Sequence, residues 1–301
     1  MNILVAFNDN YTMPTRVMLK SLIENNHCSL DIYVIYVTLS DISKRKISEL
    51  NDATTTIHFL RIDERKFESF PVMGIHSKEA YIRLFAHRYL PEDIDRVLWL
   101  DSDLIINGSL DEFYNIEFDN KLYVAYKDIK CDNQKKKISL GMPLDMTYIN
   151  SGVLLMNLKE IRGTVQDEQI VKFVEEYNNK IEYVDQDVFN GLLYEHFKVI
   201  ESDFTYNYIV RHITPWNKRW VYKNAMVFHY AGFKPWNAGF KYYGFHIWWK
   251  NALLTDKTYY KARFKRVFLS CIVAKSVHWA GMETERHCPK LHSFLTKHDG
   301  R

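Results

Sequence analysis

The fold is decided by the stretch Arg96-Val97-Leu98-Trp99-Leu100-Asp101-Ser102-Asp103-Leu104, an apolar run that ends in two carboxylates. The apolar residues predict a buried strand, and Asp101 and Asp103 follow at its carboxyl end. In an open α/β sheet, ligands bind beyond the carboxyl ends of the strands. Two carboxylates so close together repel each other unless a cation lies between them, and oxygen ligands suit Mn²⁺ or Mg²⁺. The stretch therefore predicts a metal site at one edge of a sheet.

The Asp-x-Asp spacing alone is a weak signal, because the chain has three such pairs. The pair in Asp93-Ile94-Asp95 precedes the strand, and we interpret it as a solvated loop. The pair in Asp185-Gln186-Asp187 opens an apolar helical segment, where an aspartate is by default an N-cap. A helix start also presents N–H groups and a positive dipole to polar ligands, so both roles are compatible.

Length and composition indicate a globular protein of one large domain, or of one domain with an appendage. The chain has 301 residues, 47% of them apolar, and its 11 Gly and 7 Pro exclude a collagen-like or disordered chain. The strand-like start Ile3-Leu4-Val5-Ala6-Phe7 has no basic leader, so we expect no secretory signal. The four cysteines lack metal-ligand spacing and predict reduced thiols in a cytoplasmic protein.

Strand-like runs alternate with helical patterns along most of the chain. This alternation predicts an α/β fold, with a mostly parallel sheet flanked by helices on both faces. No Gly-x-Gly-x-x-Gly follows the first strand, so side chains and a ring would hold a nucleotide there in place of a glycine-rich phosphate loop. The predicted strands are Ile3–Phe7, Asp31–Val37, Thr56–Ile62, Val97–Leu100, Leu122–Tyr126, Val153–Asn157 and Met226–His229, and the predicted helices span roughly residues 13–25, 41–51 and 77–90.

Two polar features of the first half of the chain have both a structural and a functional interpretation. The block Asn8-Asp9-Asn10-Tyr11 is typical of a turn, and its amides and ring could also hold a base and a ribose. Arg83 lies on a predicted helix whose apolar positions face the core. It is either a surface arginine or a fork that binds a pyrophosphate or a sugar.

Two later blocks are similarly open to two interpretations. Asn150-Ser151-Gly152 is either a turn entering a strand or a place where an amide bonds sugar hydroxyls beside a glycine. His229 ends the last strand and is either a core histidine or a nitrogen ligand that completes the Asp-x-Asp site. Gly232 and Lys234 follow this strand. Lys234 could neutralise a pyrophosphate, and Gly232 could let the backbone approach it.

Residues 127–150 are polar and rich in lysine. They predict a loop or a small excursion from the sheet. We interpret Lys135-Lys136-Lys137 as a solvated face, in preference to a loop that attracts phosphate.

Taken together, these blocks resemble retaining glycosyltransferase family 8, which contains bacterial lipopolysaccharide galactosyl- and glucosyltransferases and glycogenin. The resemblance covers residues 1 to about 255, and the order and separation of the blocks make it far more specific than any single block. Asn8 stands where those galactosyltransferases usually have Asp, and the segment from Gly232 to Lys234 is one residue shorter than theirs. The blocks are Asn8-Asp9-Asn10-Tyr11, Tyr81-Ile82-Arg83-Leu84, Leu100-Asp101-Ser102-Asp103, Asn150-Ser151-Gly152-Val153 with Asp185-Gln186-Asp187, and His229-Tyr230-Ala231-Gly232 with Lys234-Pro235-Trp236.

The resemblance implies a GT-A, Rossmann-like fold, a UDP-sugar as the donor, and Mn²⁺, with Mg²⁺ as the alternative. Asp101, Asp103 and His229 resemble the metal ligands of the family. The implied donor-binding residues are Asn8, Asn10 and Tyr11 for uridine, Gly232 and Lys234 for the diphosphate, and Arg83, Asp101, Asn150, Asp185 and Gln186 for the sugar, with Ser102 and Ser151 beside them.

The implied activity is that of a retaining hexosyltransferase, which moves glucose or galactose from a UDP-sugar to a glycan or glycolipid acceptor in the synthesis of lipopolysaccharide or another cell-surface glycan. The implied catalytic residues are Asp185, Gln186 and Asp187. The Gln186 amide is a poor nucleophile, so a double displacement would have to use Asp187. In preference to that mechanism, we favour attack by the acceptor on the same face of the sugar from which UDP departs. The alternatives are a catalytically silent sugar-nucleotide binder and a metal-dependent nucleotidyltransferase or phosphohydrolase.

The charge distribution divides the chain near residue 250. Residues 250–301 carry eleven Lys or Arg against four Asp or Glu, whereas the remainder is slightly acidic. We therefore predict a transferase domain over residues 1–250 and a basic, aromatic tail over residues 251–301. The stripe Tyr260, Phe264, Val267, Phe268 and Cys271 either packs on the body or lies on an anionic membrane at the inner face of the cell. No nucleic-acid partner is expected, because a basic tail alone has no reader motif.

Overall fold

The computed structural model describes residues 1–63, 65, 70, 78–202, 204–232, 234–238, 242–265 and 267. The chain divides into two compact units, Met1–His229 and Tyr230–Arg301. The predicted metal ligands, amide block and helix start all belong to the first unit.

The first unit contains a seven-stranded, mostly parallel sheet in the order β3-β2-β1-β4-β7-β6-β8. Only β7 runs antiparallel to its neighbours, β4 and β6. Every strand predicted from the sequence is present, and the predicted α/β class is confirmed. The sheet strands are β1 (Asn2–Ala6), β2 (Leu30–Tyr36), β3 (Thr55–Arg61), β4 (Arg96–Leu100), β6 (Tyr123–Lys127), β7 (Ile149–Asn157) and β8 (Phe197–Ile200), while β5 (Leu104–Ile106), β9 (Tyr208–Ile209) and β10 (Val227–His229) form a second, small sheet.

Helices cover both faces of the large sheet. Successive residues of β1 point to opposite faces, so that Ile3 and Val5 pack in one apolar cluster and Leu4 packs in another. The first cluster includes residues of α1 and α2, and the second includes residues of α5, α6 and α7. Among the described residues of this unit, the α-helices are α1 (Thr12–Asn25), α2 (Asp41–Ser48), α3 (Asp111–Tyr114), α4 (Gln134–Ser139), α5 (Leu158–Thr164), α6 (Asp167–Tyr177), α7 (Val184–Leu192) and α8 (Lys218–Asn224), and the longest 3₁₀ helix spans Lys78–Arg88.

The lysine run is not a solvated face, and that prediction was wrong. It forms α4, in which Lys135 is exposed but Lys136 and Lys137 are buried. Lys137 Nζ lies 2.6 Å from a carboxylate oxygen of Asp132, and Lys136 Nζ lies 2.8 Å from one of Asp187. The two lysines are buried because each meets a carboxylate inside the protein, which offsets the loss of hydration.

The second unit contains α9 (Pro235–Ala238), α10 (Phe245–Thr255) and a further helical segment over residues 257–265. Tyr260 is buried against Trp248 and Trp249, and Phe264 contacts Trp249, so these two residues of the predicted stripe pack within the unit. Phe268, Cys271 and most of the predicted tail lie outside the described residues, and lipid binding stays a prediction. No helix in the described part of the chain has the length and apolar character needed to cross a membrane.

Candidate active site

The predicted site lies where the order of the sheet reverses. From β1 the chain adds β2 and β3 on one side and then crosses to add β4 on the other, with parallel pairing throughout. The carboxyl ends of β1 and β4 therefore open onto one crevice, which is the usual ligand position in such sheets. Asn8 follows β1 and Asp101 follows β4.

Asp101, Asp103 and His229 converge at this edge. His229 Nε2 lies 3.5 Å from Asp103 Oδ1 and 3.9 Å from Asp101 Oδ2. The small sheet brings the histidine there, because β10 pairs antiparallel with β5 and sets His229 opposite Leu104, the residue after Asp103. The predicted convergence of these three side chains is thus present in the structure.

The donor set fits a divalent ion. One atom from each of the three side chains lies within 4.8 Å of the others, and two carboxylates with one imidazole nitrogen suit Mn²⁺. Gly152 provides the room for this arrangement, since a Cβ on it would lie 2.3 Å from His229 Cε1 and 2.9 Å from Asp101 Oδ2.

Gly152→Ala is therefore expected to push His229 and Asp101 apart and to weaken Mn²⁺ binding by about tenfold or more, a magnitude comparable with loss of an outer-shell contact. Mn²⁺ titration followed by electron paramagnetic resonance measures the effect. Gly163→Ala is the matched control, because a Cβ there meets nothing within 4 Å. Equal Mn²⁺ affinity in the two variants would contradict the role given to Gly152.

Arg83 links two of the carboxylates to β7. Its Nη2 lies 2.8 Å from Asp101 Oδ1, its Nε lies 3.1 Å from Asp185 Oδ2, and its Nη1 donates to the Ser151 carbonyl at 2.7 Å. The guanidinium also stacks over the Trp99 ring, whose indole N–H donates to Asp101. Arg83 is 6% exposed, so it is not a surface arginine, and its predicted contact with the donor sugar stays a prediction.

Asp185 is a buried carboxyl group in contact with that arginine. Burial raises the pKa of Asp185 to about 7, while Arg83 acts in the opposite direction and the nearby Asp101 charge adds to the rise. The Ser151 hydroxyl donates to Asp185 at 3.0 Å. Asp185 is thus held in one orientation next to the metal ligands.

Gln186 and Asn150 form an amide network beside this group. Asn150 Nδ2 donates to Gln186 Oε1 at 3.2 Å and to Asp128 Oδ2 at 3.0 Å. Gln186 Oε1 also accepts the Ser151 N–H, and its Nε2 donates to Asp128 and to the Tyr148 hydroxyl. No sequence motif indicates that Asp128 and Tyr148 belong to this network, because their hydrogen-bond partners are distant along the chain.

Asp187 joins this network through Tyr148, and its carboxylate lies in the protein interior. The side chain is fully buried and accepts from the Tyr148 hydroxyl at 2.5 Å, from Lys136 Nζ at 2.8 Å, and from the backbone N–H groups of Glu182 and Tyr183 at 2.6 and 2.9 Å. Four donors to one buried carboxylate indicate a structural role. These contacts support the start of α7, and the catalytic role predicted for Asp187 stays a prediction.

The block after β1 combines turn and site features. Asn8 accepts the Asn10 N–H at 3.2 Å and caps a 3₁₀ helix over Asp9–Tyr11. Asn10 is exposed, while Tyr11 packs partly against the core. Ser102, between the two metal-ligand candidates, contacts Thr15 of α1 through their hydroxyls at 2.8 Å. The loop after β1 and the loop after β4 are thus connected through α1.

Gly232 and Lys234 belong to the second unit. Gly232 has φ +92°, a backbone conformation that favours glycine. Lys234 Nζ donates to the Tyr230 carbonyl at 3.1 Å. Their predicted contact with a diphosphate stays a prediction.

Comparisons with known proteins identify the family of the chain. The profile of glycosyl transferase family 8 matches residues 2–239. Lipopolysaccharide 1,2-glucosyltransferase of Escherichia coli K12 is 28% identical over 246 residues, which cover 79% of this chain and 73% of that protein. A relative from Haemophilus influenzae is also 28% identical, over 210 residues that cover 68% of this chain and 63% of its own length.

A solved structure has the same architecture. The crystal structure of the galactosyltransferase LgtC in complex with donor and acceptor sugar analogs aligns with a TM-score of 0.75 and 25% identity, covering 87% of this chain and all of that one. The chain belongs to glycosyltransferase family 8, and its GT-A type α/β architecture is confirmed.

Proposed function

We propose that this chain is a retaining hexosyltransferase that moves glucose or galactose from a UDP-sugar to a glycan or glycolipid acceptor. The observation that carries the proposal is the convergence of Asp101, Asp103 and His229 at the carboxyl end of β4, next to the network of Asn150 and Gln186. The similarity to a lipopolysaccharide glucosyltransferase and to a galactosyltransferase solved with sugar analogs supports the choice of hexose and acceptor class.

The donor would lie across the crevice with its uridine next to Asn8, Asn10 and Tyr11, which present amides and a ring after β1. A divalent ion, Mn²⁺ or Mg²⁺, held by Asp101, Asp103 and His229 would stabilise the negative charge that grows on the departing diphosphate. Asp185, Asn150 and Gln186 would bond the hydroxyls of the sugar.

The arrangement of Gln186 and Asp187 favours attack on the face from which UDP leaves. A double displacement needs a carboxylate that attacks the anomeric carbon, but Asp187 is buried and bonded to four donors. Gln186 offers only an amide, which is a poor nucleophile. The bond from the anomeric carbon to the diphosphate breaks, the acceptor oxygen bonds the same carbon, and a diphosphate oxygen takes the acceptor proton.

The proposed location is the cytoplasm, next to the inner face of the cell membrane. Four exposed cations near the end of the described chain support attraction to an anionic surface. They are Lys257, Lys261, Arg263 and Lys265.

A donor screen tests the function. Purified protein with Mn²⁺ and UDP-glucose, UDP-galactose or their N-acetyl forms is expected to release UDP from one or both of the plain hexoses, to stop with EDTA, and to recover with Mn²⁺. When a saccharide acceptor is added, the anomeric proton of the transfer product, observed by NMR, is expected to show an α linkage. Release of pyrophosphate or phosphate in place of UDP would indicate a nucleotidyltransferase or phosphohydrolase, and UDP binding without turnover would indicate a silent binder.

A further inference from the structure

Asn207 lies between the metal-ligand candidates and the amide network. The side chain is 2% exposed, and it immediately precedes β9, which pairs with β10. Its Nδ2 lies 3.0 Å from Asn150 Oδ1, and its Oδ1 lies 2.9 Å from His229 Nδ1. One asparagine thus contacts both His229 and the proposed sugar site.

The direction of these hydrogen bonds is fixed by neighbouring groups that can only donate, such as a backbone N–H, or only accept, such as a carboxylate. The Gly152 backbone N–H is a donor, so the Asn150 atom facing it at 3.1 Å is the oxygen. The other end of the Asn150 amide faces Asp128, whose carboxylate accepts from the Lys130 and Cys131 N–H groups, and must therefore be the NH₂ group. Two independent partners give Asn150 the same orientation.

The orientation of the Asn150 amide determines that of the Asn207 amide, which in turn determines the tautomer of His229. Because Asn150 Oδ1 is an acceptor, the Asn207 atom facing it is the NH₂ group, and the atom facing His229 is the carbonyl oxygen. A carbonyl oxygen only accepts, so His229 Nδ1 carries a proton. The nitrogen that faces Asp101 and Asp103 is then Nε2.

We propose that Asn207 is a positioning residue, which holds His229 in the tautomer and ring orientation that presents Nε2 to the metal. Such outer-shell partners fix ligand orientation, and their loss typically weakens metal binding 10- to 100-fold. The inference rests on the proposed metal-dependent function. Asn207 would also connect the two parts of the site, because the same side chain orients His229 and donates to Asn150 of the proposed sugar site.

The test is Mn²⁺ titration by electron paramagnetic resonance on the full chain without donor. Asn207→Leu keeps the approximate size but loses both hydrogen bonds, and its Kd for Mn²⁺ is expected to rise about 10- to 100-fold. Asn207→Asp keeps an acceptor for the His229 Nδ1 proton, so its Kd is expected to be equal to or below that of the wild type. Its carboxylate cannot donate to Asn150, so its KM for the donor is expected to rise.

The matched control is Asn26→Leu, which also removes a buried asparagine with two hydrogen bonds, from the Leu110 N–H and to the Leu22 carbonyl. It is expected to lower the melting temperature and to leave Mn²⁺ affinity unchanged. If Asn207→Leu does not fold, Asn207→Ser is expected to show the same weakened binding.

Each outcome has a separate meaning. Wild-type protein that binds no Mn²⁺ in the titration and releases no UDP with Mn²⁺ or Mg²⁺ would contradict the proposed function itself. Wild-type protein that binds Mn²⁺, with equal affinity in Asn207→Leu or with an equal loss in Asn26→Leu, would overturn the role of Asn207 and leave the proposed function intact.

Discussion

Asp103→Asn is expected to lower the rate of Mn²⁺-dependent UDP release by about 10²-fold or more, since it removes one charged ligand of the ion that stabilises the leaving group. Asp103 is 6% exposed, and its Oδ1 faces His229 Nε2. Asparagine has nearly the same shape, so the fold is expected to persist while the charge is lost. Initial rates of UDP release at saturating Mn²⁺ measure the effect.

The chain supplies a control with the same motif. Asp93→Asn changes the exposed Asp-x-Asp pair in the loop before β4, and it is expected to leave both the rate and the melting temperature unchanged. Undiminished turnover in Asp103→Asn would remove this residue from the metal site. A rate lost together with the folded state, as seen by circular dichroism, would assign Asp103 to stability instead.

The sequence predicts the large sheet well because its strands are long or strongly apolar. The alternation around β1, β2 and β3 indicated parallel pairing, and the abrupt end of β4 in two carboxylates indicated the site. The strands β5, β8 and β9, with three, four and two residues, were missed, because such short segments show no periodic pattern; β10 is equally short and was recognised only from the histidine and glycine that end it. Two of these missed strands, β5 and β9, flank β10 and bring His229 and Asn207 together.

The sequence could not predict which charged side chains are buried. Lys135, Lys136 and Lys137 are chemically alike, and only the tertiary structure shows that two of them meet carboxylates inside the protein. Arg83 and Asp187 are also buried beside charged partners, which their positions in the sequence did not indicate. The burial of a charge depends on its partner, and that partner is distant along the chain in three of these cases.

The pairing of Lys136 with Asp187 leads to the second large expected effect. Lys136→Met is expected to lower the free energy of unfolding by about 3 kcal/mol or more, because it leaves a fully buried carboxylate without its cation. Burial and the Asp187 charge raise the pKa of Tyr148 well above its usual value, so this hydroxyl stays protonated and continues to donate. A neutral donor does not replace the lost charge. Urea unfolding measures the change.

Two further variants separate loss of the ion pair from loss of the lysine side chain. Lys135→Met changes the exposed neighbour in the same helix and is expected to alter the free energy of unfolding by no more than about 0.5 kcal/mol. Adding Asp187→Asn to Lys136→Met removes the unpaired charge and is expected to recover part of the lost stability. The same double variant tests the mechanism. If Asp187 only supports α7, replacing it by an amide is expected to leave sugar transfer active and to trap no covalent sugar–enzyme intermediate. A double variant that is no more stable than Lys136→Met would contradict the argument that the unpaired charge causes the loss of stability. A double variant that folds fully and transfers no sugar would place Asp187 in the reacting centre.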